Sequence, residues 1–72
     1  MRELTSRQRE ILQFISDYIE NNSFPPTVRE TAAHFSVSIK AIQDHFTALS
    51  KKGYLFKDEK RSRSLKVLGN VN

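Results

Sequence analysis

The 72-residue sequence contains no cysteine, which excludes a disulfide framework and any thiolate zinc site and fits a reducing compartment. It lacks any stretch approaching the roughly 20 apolar residues that span a bilayer. Its start, Met1-Arg2-Glu3-Leu4-Thr5, lacks the apolar run of an export signal. These absences predict a soluble, cytoplasmic chain with no membrane partner. So short a chain builds one small core, which leaves little surface for a deep catalytic cleft. Ser6, Ser50 and Ser64 stand in no arrangement with a His or Lys base that would support nucleophilic catalysis. His34 and His45 have no cysteine or second carboxylate pair nearby to complete a metal site. No catalytic residue, cofactor or metal is expected, and a binding module is favoured over an enzyme.

What is present is basic charge, unevenly placed. The net charge is +4 and the isoelectric point about 9.8, a balance that suits a polyanionic partner. Residues 1–36 carry four basic and five acidic side chains, whereas residues 37–72 carry eight basic and three acidic. The positive field therefore belongs to the C-terminal half.

Hydrophobic periodicity predicts three helices and a hairpin. Thr5-Ser6-Arg7-Gln8 has the form of a capping box, and Ile11, Leu12, Phe14, Ile15, Tyr18 and Ile19 then follow one helical face. That helix ends at Asn21-Asn22-Ser23, and Pro25-Pro26 prevents its continuation. Phe24 is expected to tuck into the core, and the phenylalanines generally to be core material. Thr27-Val28-Arg29-Glu30 is a second capping box, opening a short helix to about Phe35. Ser38 caps a third, which carries Ile39, Ala41, Ile42, Phe46 and Leu49 and stops at Gly53. The period then changes to two over Tyr54–Lys57 and Ser64–Leu68, two short strands around a polar loop from Asp58 to Arg63. His45 is expected at the edge of the core.

Two short helices joined by a turn of three or four residues make a helix-turn-helix, whose second member enters the major groove. With Ile42, Phe46 and Leu49 turned inward, Lys40, Gln43, Asp44 and Thr47 line the outer face of the third helix. Gln can pair with adenine, Lys with guanine N7 and O6, Asp with the cytosine amino group, and the Thr methyl can meet a thymine methyl. A plain solvated helix face has the same pattern, and the charge split and wing argue against it. In the hairpin, Lys57, Lys60, Arg61, Arg63 and Lys66 form a basic tip able to follow phosphates or enter the minor groove. Ser38 and Thr27 are further candidate phosphate contacts, each equally explained as a cap.

Several segments resemble the N-terminal domain of LexA-type SOS repressors. They are Leu4-Thr5-Ser6-Arg7-Gln8, Phe24-Pro25-Pro26-Thr27-Val28-Arg29-Glu30, and Asp44-His45-Phe46-Thr47-Ala48-Leu49 with Lys51-Lys52-Gly53-Tyr54. The resemblance covers nearly the whole chain. It implies an α+β, mostly α, winged helix-turn-helix over residues 1–69, with 70–72 as a tail or linker. It also implies a bacterial, nucleoid-associated repressor of DNA-damage response and repair genes, binding a palindromic double-stranded operator of two half-sites. The reading positions it implies are Ser38, Lys40, Ala41, Gln43 and Asp44; Thr47 joins them from the face analysis, and Thr27, Arg29, Lys57, Lys60, Arg61 and Arg63 are expected on phosphates. Thr31, Lys40 and Asp44 depart from residues frequent in the family, so the operator is expected to differ; the short turn also carries Ser36 where glycine is frequent.

In that family a C-terminal domain dimerises and, activated by the RecA filament, cleaves the repressor with a Ser-Lys pair. These 72 residues hold no such apparatus, and alone the domain is expected to be a monomer or weak dimer, paired as a homodimer in the full-length protein. A winged-helix protein-interaction module and a different bacterial winged-helix regulator are the alternatives.

Overall fold

A computed structural model describes residues 3–56 and 65–68 of the chain. Three helices, α1 (Ser6–Asn22), α2 (Val28–Phe35) and α3 (Ile39–Lys51), precede two short strands, β1 (Leu55–Phe56) and β2 (Lys66–Val67). The strands pair antiparallel, with Leu55 opposite Val67 and Phe56 opposite Lys66. This is the mostly helical winged helix-turn-helix that the sequence predicts.

Both predicted capping boxes form. Thr5 Oγ1 accepts from the Gln8 amide at 3.2 Å while Gln8 Oε1 accepts from the Thr5 amide at 3.0 Å. Thr27 and Glu30 repeat the exchange at 3.1 and 2.9 Å. Each box satisfies amides that a helix start otherwise leaves unpaired. Thr31, fully buried in α2, meets its own polar requirement by donating to the Thr27 carbonyl at 2.9 Å.

The helix ends explain the turns. Ser36 lies in the left-handed region (φ 56°, ψ 42°). The Val37 and Ser36 amides then reach back to the Ala32 and Ala33 carbonyls at 3.1 and 3.3 Å, a Schellman closure that reverses the chain in three residues. Gly53 (φ 87°) ends α3 the same way, with the Tyr54 amide on Leu49 at 3.0 Å and the Gly53 amide on Ser50 at 3.1 Å. Because its amide is spent on that turn, Tyr54 precedes β1 and does not join it. Its carbonyl continues the pairing, accepting from the Leu68 amide at 2.7 Å. Lys57 and Ser64, expected at the strand ends, lie outside the described residues.

Ile11, Leu12 and Ile15 of α1, Ala32 of α2, Ile42, Phe46 and Leu49 of α3, and Leu55 and Leu65 of the hairpin form one buried cluster. Val67 of β2 packs half-buried against this cluster, and α3 lies mainly against α2 and β1. His45 is half-buried, as expected at the core edge.

Two expectations for phenylalanine fail. Phe24 is 44% exposed, set edge-on against Tyr18 with ring centroids 5.9 Å apart. Ser23 before it adopts the left-handed conformation that closes α1, so the chain turns outward at Phe24 and it is Pro26 that enters the core. Phe56 is also exposed, because the alternation of β1 gives the inward place to Leu55.

Candidate nucleic-acid interface

α3 presents the face that its stripe implies. Lys40, Gln43, Asp44 and Thr47 are all exposed, one turn apart along the side opposite Ile42, Phe46 and Leu49. Ala41 is half-buried at the margin, and Ser38 is exposed at the leading end. Ile39, grouped by the sequence pattern with the core residues, is 42% exposed. As the first residue of α3 it has no preceding turn to pack on, and it adds an apolar group beside Ser38 and Lys40. Its place directly after the cap was the signal for this.

The four polar side chains differ in what they can offer. The Lys40 ammonium offers donors and the Asp44 carboxylate acceptors, while the Gln43 amide offers both. Lys40 Nζ lies 3.7 Å from Asp44 Oδ1 across one helical turn, both side chains largely in solvent. Thr47 Oγ1 donates to the Gln43 carbonyl at 2.9 Å, so its hydroxyl proton is spent on the backbone, leaving its methyl and oxygen lone pairs.

The starts of α2 and α3 are electrostatically unlike. At α2 the carboxylate of Glu30 folds back on the Thr27 amide, so a negative group already stands where a phosphate would approach Thr27, which is itself half-buried. At α3, Ser38 Oγ accepts from the Ala41 amide at 3.1 Å, and the first turn has no acidic residue. The first turn of α3 thus carries no carboxylate to answer the positive end of its dipole, which suits an anion. Arg29 is exposed on the first turn of α2, an element separate from the α3 face.

Of the basic wing, Lys66 is described: exposed on β2, opposite Phe56. Lys57, Lys60, Arg61 and Arg63 lie outside the described residues. Among the described residues no three His, Cys, Asp or Glu side chains gather as a metal site would require. His34 instead stacks on Phe14, ring centroids 4.1 Å apart. No helix among the described residues is long and apolar enough to cross a membrane.

Residues 1–64 match the family model of the LexA DNA-binding domain. The chain belongs to the LexA DNA-binding domain family. It is 52% identical over 66 residues to the LexA repressor of Myxococcus xanthus (strain DK1622), covering 90% of this chain and 30% of that protein. It is 41% identical over 68 residues to the LexA repressor of Thermosipho africanus (strain TCF52B), covering 94% of this chain and 34% of that one. With the LexA repressor of Leptospira biflexa the figures are 40% over 73 residues, 100% and 36%. The chain thus spans about a third of the length of these curated relatives. As a LexA DNA-binding domain it is a DNA-binding unit, and the chemistry of α3 is to be read in that light.

Proposed function

We propose that this chain is the operator-reading domain of a transcriptional repressor of DNA-damage response genes, acting on double-stranded DNA at the bacterial nucleoid. The observation that carries this reading is the exposed row Lys40, Gln43, Asp44 and Thr47 on a helix whose opposite side is anchored in the core by Ile42, Phe46 and Leu49. A rigid helix with polar groups of mixed hydrogen-bonding character suits readout of base edges in the major groove. Ala41 and Ile39 add apolar contact for thymine methyl groups. Ser38 and the first-turn amides of α3 meet a phosphate, with Arg29, Thr27 and the wing residues Lys57, Lys60, Arg61 and Arg63 as further backbone contacts. Of these, Thr27 is the weakest candidate, since Glu30 already answers its amide.

One domain reads one half-site. A palindromic operator then engages two copies, and pairing them raises the effective concentration of the second. The domain takes in residues 1–69, with 70–72 as a tail or linker. Homodimerisation and RecA-stimulated self-cleavage are the further properties the resemblance implies for full-length repressors.

The test is an anisotropy titration of the chain against labelled duplexes at low and moderate salt. Salt-sensitive binding that prefers an enriched sequence over random duplex supports the reading. Absence of duplex binding at low salt overturns it in favour of a protein-interaction module.

A further inference from the structure

Rings of α1 and α2 that the core leaves partly in solvent form a band on one flank of the domain. Half-buried Phe14 stacks on exposed His34 and meets the Phe35 ring edge-on, centroids 5.6 Å apart. Tyr18, one turn further along α1, lies 5.9 Å from Phe14 and 5.9 Å from Phe24, which is 44% exposed. Arg7 lies on the same side of α1, its guanidinium 5.3 Å from the Phe35 ring. At 3.6 residues per turn, Arg7, Phe14 and Tyr18 fall within about 40° of one another around the helix, with the exposed Glu10 and Asp17 along their outer edge. Lys40, Gln43, Asp44 and Thr47 of α3 take no part in this flank.

The flank carries both signs of charge, set at opposite ends. Arg7 and Asp17 are exposed, about 15 Å apart along the helix, and neither forms an ion pair among the described residues. A partner of one sign meets repulsion at one end of this arrangement, whereas a two-fold copy of it meets attraction at both. We propose that this flank docks the same flank of a second copy of the chain, the two α1 helices antiparallel about a two-fold axis level with residue 12. Arg7 of each copy then stands across from Asp17 of the other. The two Phe14 positions fall about 6 Å apart along the helix direction, close enough for ring contact. Tyr18 and Phe24 extend the apolar contact outward. Glu10, equally near the axis, faces its own copy and opposes the pairing. A contact of one helix flank and a few rings is small and weak in dilute solution, but copies held side by side reach effective concentrations of about 1 mM. Because α3 lies outside the paired surface, the pairing does not depend on DNA.

The experiment is sedimentation equilibrium of the 72-residue chain, with amide chemical shifts followed on dilution, from about 1 mM to about 10 µM at low salt. The expected result is a reversible dimer at the upper end, weakened by added salt, with concentration-dependent shifts at Arg7, Phe14, Asp17, Tyr18 and Phe24 and none over residues 40–47. Arg7→Asp and Asp17→Arg each place like charges across the axis and weaken the dimer roughly tenfold or more, the double variant regains most of the loss, and Glu10→Gln tightens it. All of these positions are exposed on α1, and the double variant controls for any effect of either substitution on folding. A monomer at every concentration overturns the proposal. So does a dimer whose shifts fall on α3 or the hairpin, or one that the single reversals leave unchanged or the double variant fails to restore. DNA binding by α3 stands in each of those cases.

Discussion

Lys52 Nζ, just past the end of α3, donates to Gln8 Oε1 in the first turn of α1 at 2.6 Å and to the Glu3 carbonyl at 2.9 Å. The same Gln8 oxygen accepts from the Thr5 amide. One buried carboxamide therefore joins the start of the first helix to the end of the third, and helps to set the angle at which α3 meets the rest of the domain. A hydrogen bond to a charged group contributes about 1.5–3 kcal/mol, less where solvent reaches it. Lys52 is half-buried, so Lys52→Met is expected to cost about 1–2 kcal/mol. Gln8→Ala should cost more, because it removes the capping box as well. Urea denaturation checks both. A Lys52→Met midpoint indistinguishable from wild type would show the contact to be idle.

Ser36 supplies a stability prediction of opposite sign. A residue with a Cβ in the left-handed region carries a penalty that glycine avoids. Ser36→Gly is expected to stabilise the domain by about 0.5–1 kcal/mol, after allowing for glycine's greater freedom in the unfolded chain. Ser36→Val should destabilise it. Thermal melts of the three proteins decide the order, and a Gly variant less stable than wild type would refute the explanation of the turn.

The two classes of DNA contact should separate by mutation. Gln43→Ala is expected to cost roughly 1–3 kcal/mol on the preferred duplex and little on random DNA. Arg61→Ala or Arg63→Ala should weaken both alike and reduce the salt slope by about one. Titrations at several salt concentrations provide the comparison. Equal losses for Gln43→Ala on both duplexes would remove it from base reading.

Local features were legible in the sequence because their causes are local. Thr5 with Gln8, and Thr27 with Glu30, are three residues apart, and the stripe of Ile42, Phe46 and Leu49 turns Lys40, Gln43, Asp44 and Thr47 outward by helical geometry alone. The exposure of Phe24 was not legible, because it depends on Ser23 adopting a left-handed conformation that serine rarely adopts. Nor was the Lys52–Gln8 contact, whose partners are 44 positions apart and meet only once the core has formed. Tyr54 read as strand by composition, yet the Schellman turn at Gly53 takes its amide first.

The most direct test of α3 as the DNA-reading element is amide chemical-shift mapping by NMR as duplex DNA is added to the labelled chain. The account predicts that the largest changes fall on residues 38–47 and on the basic wing, with the Phe14–Tyr18 side of α1 nearly unchanged. Changes concentrated around Phe14, Tyr18 and Phe24, with α3 silent, would contradict it.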